Sequence, residues 1–150
     1  MMKKESQFDF AKLRKNLIQF IKFGIVGVSN TIIGYLINIG VIFLLSRYDV
    51  KWDYIAGNIA EFILSVLWAF YWSNRYVFKL EDGEKRNILR SLFRTYVAYG
   101  FTGIILNNLL GYLWIEVLGI NKYISPIINV LISAPINFLI NKFWSFKKDR

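Results

Sequence analysis

Long apolar runs separated by short polar segments dominate the chain. Four runs are long enough to cross a bilayer, which takes about 20 apolar residues in a helix. They cover residues 23–46, 54–74, 95–115 and 123–141. Charged side chains are absent from all of them except the second, which contains Glu61. The pattern therefore predicts an all-α, multi-pass membrane protein with four transmembrane helices.

Apolar residues also recur at helical spacing before the first run, at Phe10, Leu13, Leu17 and Phe20, with basic and amide side chains between them. This spacing is typical of an amphipathic helix that lies in the membrane interface. Alternatively, the segment extends the first spanning helix into the cytosol. The sequence leaves both interpretations open.

Positive charge predicts the orientation in the membrane. Of the 19 Lys and Arg residues, sixteen fall in the N-terminal segment, the middle loop and the C-terminal tail. The other three, Arg47, Lys51 and Lys122, lie in the two short hairpin loops. By the positive-inside rule, both termini and the middle loop are cytoplasmic. The net charge of +9 suits anionic lipid headgroups better than nucleic acid, so we expect no nucleic-acid partner.

Composition narrows the chemistry. Among its 150 residues, 55% are hydrophobic and none is His or Cys. The chain therefore lacks the usual proton shuttle, the commonest metal ligands and a thiol nucleophile. Four spanning helices use roughly 80 residues and leave no room for a separate catalytic domain. We expect a single membrane domain over residues 1–150 that is not an enzyme and has no cofactor and no metal site.

The two halves of the chain repeat one pattern. Repeat 1 covers about residues 20–80, and repeat 2 covers about 93–147. Phe23 matches Tyr96 at an offset of 73 residues, and Phe78 matches Phe146 at an offset of 68. Each half holds two helices, so both halves enter the membrane in the same direction. The sequence predicts two parallel two-helix repeats rather than inverted ones.

Each repeat carries recognisable motifs. The opening motif is Phe-x-Lys-Phe-Gly-x-x-Gly at residues 20–27. The closing motif, an Asn, a basic residue and aromatics, occurs at residues 74–78 and again at 141–146. Together they resemble the GtrA-like family of small four-helix membrane proteins over about residues 20–147. One departure is that Asn141 aligns with Ser73, not with Asn74, when the closing phenylalanines are superimposed.

The resemblance implies a role in cell-surface polysaccharide or teichoic acid glycosylation. The family is thought to carry (flip) a polyprenyl-phosphate-linked sugar, with undecaprenyl phosphate as the expected lipid, across the cytoplasmic membrane. A membrane-associated glycosyltransferase on the cytoplasmic face would supply that lipid-linked sugar.

Such a substrate carries a phosphate, and four cations lie at the inner ends of the predicted helices. The candidate phosphate-binding residues are Lys22, Arg75, Arg94 and Lys142. Arginine can bind phosphate through two parallel hydrogen bonds, whereas lysine acts as a point charge. The alternative is that all four are inner-leaflet anchors whose charged ends reach the interface.

A set of polar and aromatic side chains, here called the polar seam, could contact the sugar. Its members are Asn30, Asn58, Glu61, Ser65, Trp68, Trp72, Asn107, Asn129, Asn137 and Asn141. Glu61 stands out because an acid near the bilayer centre costs about 2.5–3.5 kcal/mol on insertion. It could bind a sugar hydroxyl, couple transport to protons or make a structural hydrogen bond. Interhelical bonding is the alternative for the amides, and lipid packing is the alternative for the tryptophans.

Three functions remain open at this point. The first is translocation of the lipid-linked sugar by a homo-oligomer, since four helices make a thin wall. The second is a non-transporting anchor that recruits a glycosyltransferase. The third is a small proton-coupled multidrug exporter, which the parallel repeat and the position of the acid in the second helix disfavour.

Overall fold

The chain is helical almost throughout. The structure is a computed structural model and describes residues 2–51, 53–121 and 124–148. It divides into two compact units, Met1–Lys79 and Leu80–Arg150. The boundary falls in the middle loop, between the two halves that the sequence pattern distinguishes.

The first unit is a helical hairpin. Helix α1 spans Met2–Ser46, and α2 spans Asp53–Trp72 and continues into a π-helical turn at Ser73–Val77. The contacts between α1 and α2 show that the two helices run in opposite directions. Early residues of α1 meet late residues of α2, as when Gln19 donates a hydrogen bond to the carbonyl of Val77. The hairpin is therefore antiparallel, as two successive membrane crossings require.

A small core holds the hairpin together. Val66 and Ala69 of α2 are almost fully buried, and the rings of Phe23 and Phe78 lie 6.1 Å apart at one end. Large apolar side chains elsewhere, such as those of Ile32 and Leu36, remain exposed. In water such a surface would aggregate, whereas in a bilayer it faces lipid.

Helix α1 is unbroken from Met2 to Ser46, which agrees with the interpretation that the amphipathic segment extends the first spanning helix. At 1.5 Å per residue its 45 residues measure about 67 Å. The hydrocarbon core is only about 30 Å thick, so a large part of α1 lies outside it.

The second unit mixes α and π geometry. Helix α3 spans Ile88–Gly100, α4 spans Asn107–Tyr112, and α5 spans Ser125–Ile140. Helical turns of the π type occupy Phe101–Leu106, Leu113–Val117 and Asn141–Ser145. The start of α3 is capped by the side chain of Asn87, whose oxygen accepts a hydrogen bond from the Arg90 amide at 2.9 Å.

Three helical segments are long and apolar enough to cross a membrane. They are Phe10–Ser46, Ile55–Val77 and Ile127–Ser145. The predicted third span, 95–115, is helical over its whole length, but it is not among these three segments. A membrane crossing by residues 95–115 therefore stays a prediction. Lys122 and residue 123, where the last span was predicted to begin, lie outside the described residues.

Both units end in the same kind of turn. The Phe78 amide donates to the carbonyl of Ser73, and the Phe146 amide donates to that of Asn141, each at 2.8 Å. A hydrogen bond over five residues defines π geometry. Ser73 and Asn141 each open their turn and are almost fully buried. The backbone therefore pairs Asn141 with Ser73, as the alignment on the phenylalanines indicates.

Candidate functional site

Glu61 lies in the seam between α1 and α2, where a glycine makes room for it. A Cβ atom added to Gly34 would lie 3.2 Å from the Glu61 Oε1 atom and 3.5 Å from the Ser65 Cβ atom. A residue with a side chain at position 34 would therefore displace Glu61 from its observed position. The carboxyl group is half-buried, and Ser65 one turn further along α2 is buried.

The Glu61 carboxylate has no hydrogen bond or ion pair with any residue that the structure describes. A structural bond to an asparagine of the neighbouring helix was one interpretation of this residue. Asn38 of α1 instead donates to the Asn58 side-chain oxygen at 2.8 Å. A partly buried acid without a protein partner inside a spanning helix is a candidate for substrate contact.

The seam of the first unit continues to either side of Glu61. Trp68 donates from Nε1 to the hydroxyl of Ser29 at 3.2 Å, and that hydroxyl donates to the carbonyl of Val26 at 2.8 Å. The side-chain oxygen of Asn30 is buried and has no hydrogen-bond partner within residues 2–51, 53–121 and 124–148. The predicted members Asn58, Glu61 and Trp68 thus lie on the face of α2 that meets α1.

Aromatic rings cluster at the end of α2. Trp72 meets the ring of Tyr71 edge-on and stacks against that of Tyr76, with ring centroids 5.2 Å apart in both pairs. Trp68 meets the edge of Trp72 at 5.4 Å. The exposed guanidinium of Arg75 interacts with the hydroxyls of Tyr76 and Tyr71. We call Tyr71, Trp72, Arg75 and Tyr76 the aromatic cluster.

In the second unit, the amides of the seam bond mainly to one another and to the backbone. The Asn129 oxygen accepts from Trp114 Nε1 at 2.8 Å, and its Nδ2 donates to the carbonyl of Asn107 at 3.0 Å. Asn141 donates from Nδ2 to the carbonyl and to the side-chain oxygen of Asn137, both at 2.9 Å. Asn129 therefore serves helix packing, as the alternative interpretation of the amides expects.

Two side-chain oxygens of this unit can still accept a hydrogen bond. Those of Asn107 and Asn141 are buried and, within the described part of the chain, have no hydrogen-bond partner. Buried acceptors of this kind need a donor from water or a ligand. The second unit thus combines amides committed to packing with amides that could still bind a hydroxyl.

The predicted phosphate-binding cations have different surroundings. Lys22 is exposed on α1. Arg94 donates to the carbonyl of Trp144 at 3.1 Å and lies over its ring. Lys142 lies 5.4 Å from the Phe138 ring centroid. Arg75 and Lys142 do not occupy equivalent positions in the two terminal turns. Lys142 is the second residue of its turn, and Arg75 is the third residue of the other. Phosphate binding by these four cations stays a prediction.

The loop before α3 contains a residue that sequence reasoning missed. Arg86 is buried, with its guanidinium 5.1 Å from the centroid of the Phe146 ring. Nearby in sequence, Glu84 forms an ion pair with Lys148 of the C-terminal tail. In the sequence Arg86 looks like any other basic residue of the middle loop. Only the fold shows that it fastens this loop to the end of the second unit.

The chain matches the family model described as "GtrA/DPMS, transmembrane domain" over residues 22–146. It belongs to that family. Two curated relatives share the name cell wall teichoic acid glycosylation protein GtcA. The one from Listeria monocytogenes serovar 1/2a is 31% identical over 112 residues, which cover 75% of this chain and 76% of the relative. The one from Listeria innocua serovar 6a is 30% identical over the same shares. The family resemblance predicted from the opening and closing motifs is confirmed.

Proposed function

We propose that this protein carries a polyprenyl-phosphate-linked sugar across the cytoplasmic membrane for teichoic acid or polysaccharide glycosylation. Its membership of a transmembrane-domain family and two relatives named for cell wall teichoic acid glycosylation support the process. The observation that carries the transport step is the Glu61 carboxylate. It lies against Gly34 between two spanning helices, and no described residue bonds to it.

Transport of a sugar through hydrocarbon requires partners for its hydroxyls, because an unpaired polar group there costs several kcal/mol. Glu61 can accept hydrogen bonds from hydroxyls, and the Asn38–Asn58 pair continues the polar path toward the first hairpin loop. The prenyl chain can stay in lipid throughout. No covalent bond is made or broken, so the protein acts as a carrier and not as an enzyme.

The topology suits this direction of transport. With both termini and the middle loop cytoplasmic and the two repeats parallel, the predicted phosphate-binding cations all lie on the side where a glycosyltransferase makes the substrate. They are Lys22, Arg75, Arg94 and Lys142. That enzyme is the expected partner, and a homo-oligomer supplies the further helices that enclose a sugar.

Reconstituted liposomes test the proposal. Undecaprenyl phosphate bearing a fluorescent sugar is incorporated, and a membrane-impermeant reductant measures the fraction of label exposed at the outer surface over time. The wild-type protein should speed the loss of protected label. Glu61→Gln should fold and slow it, because the amide loses the acceptor charge. Glu116→Gln is the matched control, since Glu116 is exposed in the second unit, and it should transport normally.

Each contrary result has a definite meaning. A wild-type protein that leaves the label protected would refute transport and favour the anchoring function. Equal rates for Glu61→Gln and wild type would remove Glu61 from the path. Export of cationic dyes driven by a pH gradient, without movement of the lipid, would favour the multidrug exporter.

A further inference from the structure

The aromatic cluster combines exposure with fixed geometry. The side chains of Tyr71 and Tyr76 are 54% and 46% exposed, yet both rings contact Trp72 at 5.2 Å between centroids. Edge-on and stacked contacts of this kind restrict ring orientation. Trp72 therefore holds two accessible tyrosine rings in place. Flat, exposed rings with hydroxyl groups are suited to the apolar face and the hydroxyls of a sugar.

The charge within the cluster is available to an anion. Arg75 interacts with the hydroxyls of Tyr76 and Tyr71. Among the residues that the structure describes, no carboxylate forms an ion pair with Arg75. Arg75 is exposed and the hydroxyls beside it are neutral, so its charge is not cancelled and its planar, forked donor group is available to a phosphate.

Membrane anchoring does not explain the cluster, because the second unit lacks it. Aligned on the terminal turns, the four positions of the cluster correspond to Leu139, Ile140, Phe143 and Trp144. Phe143 and Trp144 could serve an interfacial belt as well as the tyrosines do. At these four positions, a guanidinium and two phenolic hydroxyls are present only in the first unit. This difference is expected for recognition of a polar ligand.

We propose that Tyr71, Arg75 and Tyr76, positioned by Trp72, form a binding site for the glycosyl phosphate headgroup of a prenyl lipid. Arg75 binds the phosphate, and the tyrosine rings and hydroxyls contact the sugar. The inference rests on the proposed function and adds the place where the headgroup binds. The ligand is a lipid rather than a soluble sugar phosphate, because Leu67 and Ile63, one and two turns before Tyr71 in α2, offer an exposed apolar surface to a prenyl chain.

Binding measurements on the purified full-length protein in mild detergent test the site. Three ligands are compared: a short-chain prenyl phosphate, the same prenyl phosphate carrying glucose, and glucose 1-phosphate. The variants are Tyr76→Leu, Tyr76→Phe and Arg75→Gln. Tyr112→Leu is the matched control, since Tyr112 is an exposed tyrosine of the second unit. Melting temperatures are recorded for all proteins, and since the three changed side chains are exposed, we expect them to stay within a few degrees of wild type.

In wild type we expect the glucose-bearing lipid to bind about five- to tenfold more tightly than the bare prenyl phosphate, the factor that one aromatic contact supplies. Tyr76→Leu should lower that difference to about twofold, because only Tyr71 then contacts the sugar, and Tyr76→Phe should keep more of it. Arg75→Gln should weaken both lipids about tenfold or more, because it removes a charge-assisted phosphate contact. Tyr112→Leu should change neither affinity.

Several outcomes would overturn the inference. They are equal effects of Tyr76→Leu and Tyr112→Leu, an Arg75→Gln variant with wild-type affinities, and binding of glucose 1-phosphate as tight as that of the lipid. The result is separable from the proposed function. Wild-type binding without translocation would refute transport and leave the site, whereas normal translocation with no loss of sugar discrimination in Tyr76→Leu would refute the site and leave transport.

Discussion

Gly34 controls where the Glu61 carboxylate can lie, and a single methyl group tests this. In Gly34→Ala the new Cβ would lie 3.2 Å from Glu61 Oε1 and 3.3 Å from its Cγ, closer than the 3.5–4.0 Å of an optimal contact. The Glu61 side chain must therefore move by a few tenths of an ångström. Gly40→Ala is the matched control in the same helix, since nothing lies within 4 Å of its added Cβ.

The magnitude follows from two opposing terms. Replacing a glycine in a helix interior by alanine stabilises it by up to about 1 kcal/mol, and Gly40→Ala should gain this amount. In Gly34→Ala the gain is offset by about 0.5–1.5 kcal/mol for turning Glu61 off its preferred rotamer. We therefore expect Gly34→Ala to be close to neutral, about 1 kcal/mol less stable than Gly40→Ala. It should also translocate lipid-linked sugar more slowly, because its carboxylate is displaced.

Unfolding by denaturing detergent in mixed micelles measures the stabilities, and the liposome assay measures transport. The decisive comparison repeats Gly34→Ala in a Glu61→Ala background, where both close atoms are gone. There the alanine should gain as much as it does at position 40, which gives a coupling of about 1 kcal/mol between neighbouring sites. Identical effects of Gly34→Ala in the two backgrounds would refute the steric argument.

Three further predictions concern packing and topology. Gly57→Ala should destabilise the first unit by about 1–3 kcal/mol in the same unfolding assay, because its methyl would lie 3.2 Å from a backbone carbonyl, which cannot turn aside as a side chain can. Asn129→Leu should lower stability by about 0.6–1.7 kcal/mol by leaving the Trp114 Nε1 group unpaired, and a Trp114→Phe background should remove most of that loss. Because the chain has no cysteine of its own, Lys51→Cys and Lys147→Cys can be labelled singly in sealed cells by an impermeant maleimide. We expect labelling at position 51 alone, and the reverse pattern would refute the orientation.

Hydropathy and helical spacing were enough to place most of the helices and to single out Glu61 as an acid inside a span. Both depend on properties that repeat along a helix, so they can be read without knowing its neighbours. The contact of Glu61 with Gly34 was not predicted, because it depends on which residues of the two helices lie at the same height. Which asparagine bonds to which could not be read in this way, because it depends on the relative height of the two helices.

The π turns and the buried Arg86 illustrate what the sequence could not reveal. A π turn differs from an α turn only in which carbonyl the amide bonds to, and no side-chain pattern specifies that choice. Arg86 lies over the ring of Phe146, which is 60 residues away in the chain. The aromatic cluster, in contrast, had a readable signal, since Tyr71 and Arg75 are spaced i, i+4 and Trp72 and Tyr76 likewise.

The π turns also bear on how relatives of this protein should be aligned. A turn closed over five residues accommodates one residue more than an α turn, so a helix can gain or lose a single residue there and remain a helix. Within the described residues, three such turns lie in the second unit and one in the first. A one-residue gap inside a spanning helix of this protein is therefore compatible with a continuous helix, and an alignment that superimposes the closing π turns pairs Asn141 with Ser73 and not with Asn74.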